Sequence, residues 1–540
     1  MTTVERSLPV ASARPNLLRE MSHRGRRLIG HVAVVVAVLL AWQLLAVTVF
    51  AGRFVVPSPT SVWSTIVADG FYVHDAASTL AISWKGWLLG NGIALILAAV
   101  CLLLPVAESG LMALGVATYC VPTIAVGPLL VVLYDVAGAK MVMSALSVFF
   151  VTLTAAVSGL RAASPTTLQV VTAFGGGRWA QLVKVRLRAG IPLLAGGLSV
   201  SAPAAILGTM IGDYLGGQDG LGVIMLQAQQ QLAVERTWGI AVVSAAICGA
   251  AFAVTALLAR LAGADVEAPL DSGLTTSRRH RGRSVTAGLA AAKLVAAVAA
   301  CLVVWQLLVA TSGLDSYFVK TPGDTWHYLF SAPGSSAHRG LLLGHLGQTL
   351  ADAGLGWAAG TVLAVVAAIA IVLIPPAEAA VMPFVVVLRS VPLIAMCPLL
   401  GLVFGRGVLG VTVIAGIVTF VPSLVTIVGG LRAAPSAAMD IVHCSGGQRW
   451  SILAKVRVPF ATAALFAAAK ISMPGAILGA VLAEWLITAR GLGKAMSYDI
   501  ISSDFNDLFA SIAALLAVSL GLYALVAALE TVVRNSGRGI

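Results

Sequence analysis

Gly159-Leu160-Arg161-Ala162-Ala163 returns 271 residues later as Gly430-Leu431-Arg432-Ala433-Ala434, and Arg178-Trp179 with Lys184-Val185-Arg186 returns as Arg449-Trp450 with Lys455-Val456-Arg457. The same interval pairs Pro203 with Pro474, Asp213 with Glu484, and Gly220-Leu221-Gly222 with Gly491-Leu492-Gly493. Upstream the interval is 270, matching Gly86-Trp87 with Gly356-Trp357 and Val121-Pro122 with Val391-Pro392. One fold is duplicated and fused, so each half must take the same architecture.

That architecture lies in a membrane. The chain is 59% hydrophobic and 10% charged, with a mean hydropathy of +0.97, whereas a soluble domain carries about a quarter charged residues. Apolar runs long enough to cross a bilayer, which takes roughly 20 helical residues, fall at 28–49, 79–104, 109–134, 141–158, 190–212 and 237–260. A second set falls at 290–311, 348–374, 379–404, 408–428, 459–483 and 507–533. Lipid forces a spanning segment to satisfy its backbone internally, and the period of two that marks a membrane barrel is missing. The expectation is an all-α polytopic protein of about 12 transmembrane helices, arranged as two parallel six-helix repeats about a pseudo-twofold axis along the membrane normal.

The net charge of +12 follows topology. Arg6, Arg14, Arg19, Arg24, Arg26 and Arg27 precede the first span, Arg278, Arg279, Arg281 and Arg283 lie between the halves, and Arg534 and Arg538 end the chain. Clusters beside apolar helices mark the cytoplasmic side, so both termini are expected there and a nucleic-acid partner is not. The chain divides into a cytoplasmic arm (1–27), a first repeat (28–262), a polar linker (263–287) and a second repeat (288–540). Residues 24–49 have the basic head and apolar body of a signal peptide, but the run is long and the second half opens on a similar helix, so it reads as a retained span. The six cysteines have no ligand spacing and read as small core residues.

Between the fourth and fifth spans each half has a more polar stretch, Pro165 to Arg188 and Ser436 to Pro459, cytoplasmic by topology. A short helix there is expected to end at Gly175-Gly176 or Gly446-Gly447, glycine permitting the bend, before an amphipathic piece with Trp179 or Trp450. Lys184 and Arg186, or Lys455 and Arg457, suit anionic headgroups. This stretch resembles the signature loop of the permease subunits of bacterial type I ABC importers, above all the nitrate, sulfonate and taurine group, and the resemblance covers nearly the whole chain twice. It implies a bacterial inner-membrane protein whose loops dock as coupling helices on two copies of an ATPase subunit, which bind ATP and Mg. It also implies a periplasmic or lipid-anchored substrate-binding protein. By the same resemblance the coupling positions are Gln169, Ala173, Gly175, Gly176 and Arg178, and Asp440, Cys444, Gly446, Gly447 and Arg449. The acidic position of the pattern is Asp440 in the second half but Gln169 in the first, and the closing proline is Pro459 but Arg188, so the second loop is expected to couple more strongly. No phosphate-binding Gly-x-x-x-x-Gly-Lys-Ser/Thr loop occurs, so the chain is not expected to hold nucleotide or cofactor itself.

Candidate pathway residues are Tyr119, Pro122, Thr123, Arg389 and Pro392 around the third spans, and Asp213, Tyr214, Glu484 and Trp485 at the outer ends of the fifth. Pro122, Pro128, Pro392 and Pro398 should kink their helices. A charge inside a span needs a partner or a polar cavity. Arg389 reads equally as an attractor of anions or as a donor to carbonyls freed by Pro392, and Lys470 as a residue that pairs locally or snorkels to the inner face. Asp213 and Glu484 read as water-satisfied interface residues or contacts for the binding protein or solute, Trp87 and Trp357 as packing residues. An ion-driven secondary transporter is the alternative, disfavoured because span interiors are nearly free of Asp, Glu and His; a membrane enzyme lacks a catalytic constellation. The solute is open among sulfonates, taurine, nitrate and a small nitrogenous precursor such as a thiamine pyrimidine.

Overall fold

The computed structural model describes residues 36, 39–48, 56–104, 108–120, 123–214, 216–261, 287–374, 376–378, 381–382, 385, 388 and 393–536. The expected arm 1–27, the linker up to 286, and Pro122, Arg389 and Pro392 lie outside these residues. Residues to Ser61 form one unit and those from Val62 another. In the first, helix α1 (Leu39–Thr48) is tied to its following segment by Trp42 Nε1, which donates to the Pro57 carbonyl at 3.0 Å.

From α2 (Pro59–Ala68) the chain runs through α3 (Val73–Leu103), α4 (Glu108–Cys120), α5 (Thr123–Tyr134), α6 (Val136–Arg161), α7 (Pro165–Ala173), α8 (Arg178–Gln181), α9 (Leu187–Asp213), α10 (Leu221–Gln230) and α11 (Val234–Leu261). The second repeat gives α12 (Ala287–Ser312), α13 (Pro322–Phe330), α14 (Ser335–Leu373), α15 (Leu393–Phe404), α16 (Val408–Arg432), α17 (Ser436–Cys444), α18 (Arg449–Ile452), α19 (Val458–Leu486), α20 (Leu492–Ser502) and α21 (Phe505–Ser536). No strand occurs among the described residues. The protein is an all-α polytopic membrane protein with a duplicated repeat. Among the described residues eight helices are long and apolar enough to cross a membrane; they are the expected second, fourth, fifth and sixth spans of each half. In the third span of the first half the described residues form α4 and α5, with Pro128 inside α5. In the second half Pro398 sits inside α15.

Within each repeat the second span packs on the fourth and the fourth on the fifth, α3 on α6 on α9 and α14 on α16 on α19. Small residues set the spacing. A Cβ built on Gly86 would lie 2.4 Å from Ser144 Cβ, and one on Gly356 would lie 2.4 Å from Ala415 Cβ. Gly90 and Gly360, one turn on, are equally tight. Helices in lipid associate through such close backbone approach, because apolar burial alone gives them little. Trp87 and Trp357 anchor the same layers: each indole N–H donates to a fifth-span serine, Ser201 at 2.9 Å and Ser472 at 3.0 Å. The halves meet through their third spans, α4 against α12, α19 and α21, and α15 against α10 and α11.

Candidate functional site: two elbows and two carboxylate clasps

Each fifth span has an elbow at one end and a clasp at the other. The elbow begins with α7 or α17, which end in the same way. Gly176 N–H bonds the Val171 carbonyl and Gly175 N–H the Thr172 carbonyl, both at 2.9 Å; Gly447 bonds Val442 at 2.8 Å and Gly446 bonds His443 at 3.0 Å. This paired closure requires a left-handed residue, supplied by Gly175 at φ +76 and Gly446 at φ +78. The second glycine is needed for room, since a Cβ on Gly176 or Gly447 would meet a valine Cγ1 at 2.5 Å.

After the bend, α8 runs through a π-turn at Leu182–Arg186 directly into α9, and α18 through a π-turn at Leu453–Arg457 into α19. Each elbow is therefore the end of a continuous helix, Arg178–Asp213 or Arg449–Leu486, and displacing it displaces the span. Its arginine also grips the neighbouring span. Arg178 Nη1 donates to the Leu103 carbonyl at 3.2 Å and Arg449 Nη1 to the Leu373 carbonyl at 3.1 Å, satisfying carbonyls that a helix C-terminus leaves open. Gln169, Ala173, Asp440 and Cys444 are exposed, and no residue of α7 or α17 is buried. Apolar side chains project there as well: Phe174 is 89% exposed, Trp179 65%, Ile441 69% and Trp450 66%. The elbows differ in detail. Phe174 corresponds to Ser445, and only the first loop is cross-tied, Gln181 Nε2 donating to Thr172 Oγ1 at 2.8 Å.

At the opposite end Asp213 and Glu484 are not exposed interface residues; both are buried, each beneath a Gly-Leu-Gly turn. Gly222 N–H donates to Asp213 Oδ2 at 2.9 Å and Gly493 N–H to Glu484 Oε2 at 2.8 Å. Thr79 and Thr349 Oγ1 accept the Leu221 and Leu492 N–H at 2.9 and 2.8 Å. The turns lie so close that a Cβ on Gly491 would fall 2.1 Å from Glu484 Cδ, and one on Gly220 2.6 Å from Asp213 Oδ2. The backbones match and the charges do not. Lys140, 3% exposed, puts Nζ 2.6 Å from Asp213 Oδ1, whereas its counterpart in the second half is Val411.

The other sequence candidates scatter. Tyr119 stacks on Phe150 with ring centroids 4.9 Å apart, and its hydroxyl lies beside Gly475 of the other half, 3.2 Å from a Cβ built there. Thr123 opens α5, half-buried. Tyr214 OH accepts from Gln229 Nε2 at 3.3 Å, and Trp485 packs against the apolar cluster around Leu492 and Leu508. Lys470 pairs with Glu530 across α19 and α21, the local pairing that its position in a span required. The sequence reading missed Lys140, Asp352 and Glu530. Lys140 and Asp352 had a signal, since each departs from its counterpart in the other half, Val411 and Ile82.

A duplicated helical membrane fold with a matched elbow in each half is the architecture of a membrane transport component. The chain belongs to the family of binding-protein-dependent transport system inner membrane components, matched at residues 90–265 and again at 360–536. Members of that family work with ATPase subunits and substrate-binding proteins in ABC importers. It is similar to a probable ABC transporter permease protein of Haemophilus influenzae, 28% identical over 226 residues, which are 42% of this chain and 90% of the relative. It is 29% identical to the riboflavin transport system permease protein of Chloroflexus aurantiacus over 233 residues, 42% of this chain and 84% of the relative. A formylaminopyrimidine transport permease protein of Halalkalibacterium halodurans is 28% identical over 153 residues, 28% of this chain and 61% of the relative. No solved structure matches at a significant level.

Proposed function

We propose that this chain forms the whole translocation pathway of an ATP-driven importer, both pore halves in one polypeptide, with termini and elbows in the cytoplasm. Two copies of a separate ATPase subunit, holding ATP and Mg, dock one under each elbow, and a periplasmic or lipid-anchored binding protein delivers solute to the clasp end. The observation that carries this reading is the continuity of each exposed elbow with a membrane-spanning helix and its arginine grip on a second. A partner that seats the apolar residues of α7 and α17 moves two spans per half. The acidic Asp440 makes the second elbow the stronger coupling point.

For the solute, a small polar organic molecule, two classes are in play. The anionic class, sulfonate, taurine or nitrate, rests on Arg389 alone, since Lys470 is paired with Glu530. The printed names of two relatives, transporters of riboflavin and formylaminopyrimidine, favour a nitrogen heterocycle. The test is to purify the chain with its co-expressed ATPase and binding protein, then screen both classes for binding to the latter. Alanine at Asp440 should lower transport more than alanine at Gln169; an equal or smaller loss removes the inequality of the elbows, and a purified assembly lacking an ATPase removes the function.

A further inference from the structure

The first elbow borders a cavity that its arginine grip does not account for. Leu102, Leu103, Arg178, Gln181, Leu182 and Arg186 line a space of about 180 Å³, several times the ~30 Å³ share of one liquid water. No carboxylate is among them. Arg178 and Arg186 meet there because of the π-turn between them. Eight residues carry a regular helix two turns and about 80° further round, which would set the two side chains on different faces. The turn at Leu182–Arg186 takes up one extra residue and brings them back to within about 20° of one line.

Each guanidinium uses one N–H on a helix end, Arg178 on the Leu103 carbonyl and Arg186 on the Leu160 carbonyl, both at 3.2 Å. A guanidinium has further donors in its fork, and neither arginine forms an ion pair among the described residues. The C-termini of α3 and α6 together supply partial charge of about −1 against two whole positive charges. Roughly one positive charge therefore faces the cavity without a counter-charge.

The rest of the lining is two-sided. Gln181 forms a polar rim, held by its amide N–H to Thr172 Oγ1 at 2.8 Å. Leu102, Leu103 and Leu182 make the other wall apolar, and beyond it Val183, Leu187 and Ile191, four residues apart, are exposed along the start of the fifth span. Guanidinium forks match phosphoryl oxygens in pairs, and a single excess charge suits a phosphodiester or a monoanionic phosphate.

We propose that this cavity binds one phosphoryl group, carried by a phospholipid headgroup or free in solution, with Arg178 and Arg186 as its donors. The site depends neither on the solute nor on an ATPase. Its occupant ties the ends of α3 and α6 to the elbow through a shared anion, in addition to the two arginine bonds.

The test is native mass spectrometry of the full chain in uncharged detergent, titrated with phosphatidylglycerol, beside equilibrium dialysis of the same delipidated chain against radiolabelled inorganic phosphate. One probe should saturate a single tight site. Arg178→Gln or Arg186→Gln should weaken it at least about tenfold, the size of a lost charge-assisted bond. Lys184→Gln, on the same turn but outside the cavity, should weaken it less than about twofold, as an exposed charge does. Tight phosphatidylglycerol without phosphate uptake identifies the lipid headgroup, and phosphate uptake at the same arginines identifies the free ion. Saturation of neither probe overturns the site, as does binding that both arginine variants leave intact or that Lys184→Gln lowers equally. Should Arg186→Gln not accumulate, Arg178→Gln decides alone, because that side chain is exposed.

Discussion

The clasp of the first repeat contains a buried ion pair, Lys140 with Asp213, and the clasp of the second contains no such pair among the described residues, although the two turns repeat the same hydrogen bonds. Thr79 and Thr349, Gly222 and Gly493, and Asp213 and Glu484 do the same work at distances within about 0.1 Å of each other. The clasp geometry is therefore fixed by the glycines, the threonine and the carboxylate. The further charged residue near each clasp differs between the halves: the first has Lys140 where the second has Val411, and the second has Asp352 where the first has Ile82. The elbows teach the same lesson from the far end of these helices: the glycine closure and arginine grip are kept, while the exposed residues that would face a partner, Phe174 against Ser445 and Gln169 against Asp440, differ.

The largest effect should come from breaking the charged pair. Lys140→Met leaves Asp213 buried and unpaired and should cost about 3–5 kcal/mol, whereas Glu484→Gln, which strands no ion-pair partner and keeps an oxygen for the Thr349 and Gly493 donors, should cost less, under about 3 kcal/mol. Thermal unfolding of both variants in nanodiscs measures the contrast. Next is the turn itself. Gly491→Ala places a Cβ against Glu484 Cδ at a residue with φ +88, and should cost about 1–3 kcal/mol from backbone strain, with further loss from the clash, by the same measurement.

Arg178→Ala and Arg449→Ala should lower stability by less than about 1 kcal/mol, since both contacts are solvent-exposed. They should nonetheless reduce solute moved per ATP hydrolysed, read in vesicles, because each frees an elbow from the second span of its half. A change confined to a pH window concerns Asp499, whose carboxyl is pushed up to about 7 by burial and by Asp507 and Asp504. The folded chain keeps a proton that the unfolded chain releases near its ordinary value of about 3.9, so this contribution is full at acid pH and is lost as pH rises toward 7. Asp499→Asn should flatten the thermal midpoint against pH over that window, and an unchanged profile would contradict the assignment.

The sequence carried the repeat, most of the spans and the elbow closure, because each rests on local chemistry: apolar run length, a glycine after a short helix, an interval repeated along the chain. The clasp was less legible. Asp213 and Glu484 were visible at helix ends beside Gly-Leu-Gly turns, where water is the default partner, yet tertiary packing buried both. Lys140 sits just ahead of an apolar run and reads as a span boundary until α6 carries it into the bundle. Asp352 falls within a span whose acids seemed too few to matter. What exposes both is comparison of the halves, which sets a lysine against Val411 and an aspartate against Ile82. Glu530 also departs from the first half, which has Ala259 and Arg260 at the matching intervals, but its partnership with Lys470 depends on how α19 and α21 cross.

The most direct test of the account is uptake into vesicles reconstituted with this chain, its co-expressed ATPase and its binding protein. Solute should accumulate when ATP is present on the elbow side and stay outside when ATP is withheld or the ATPase omitted. Accumulation driven by an ion gradient across vesicles holding the chain alone would contradict it.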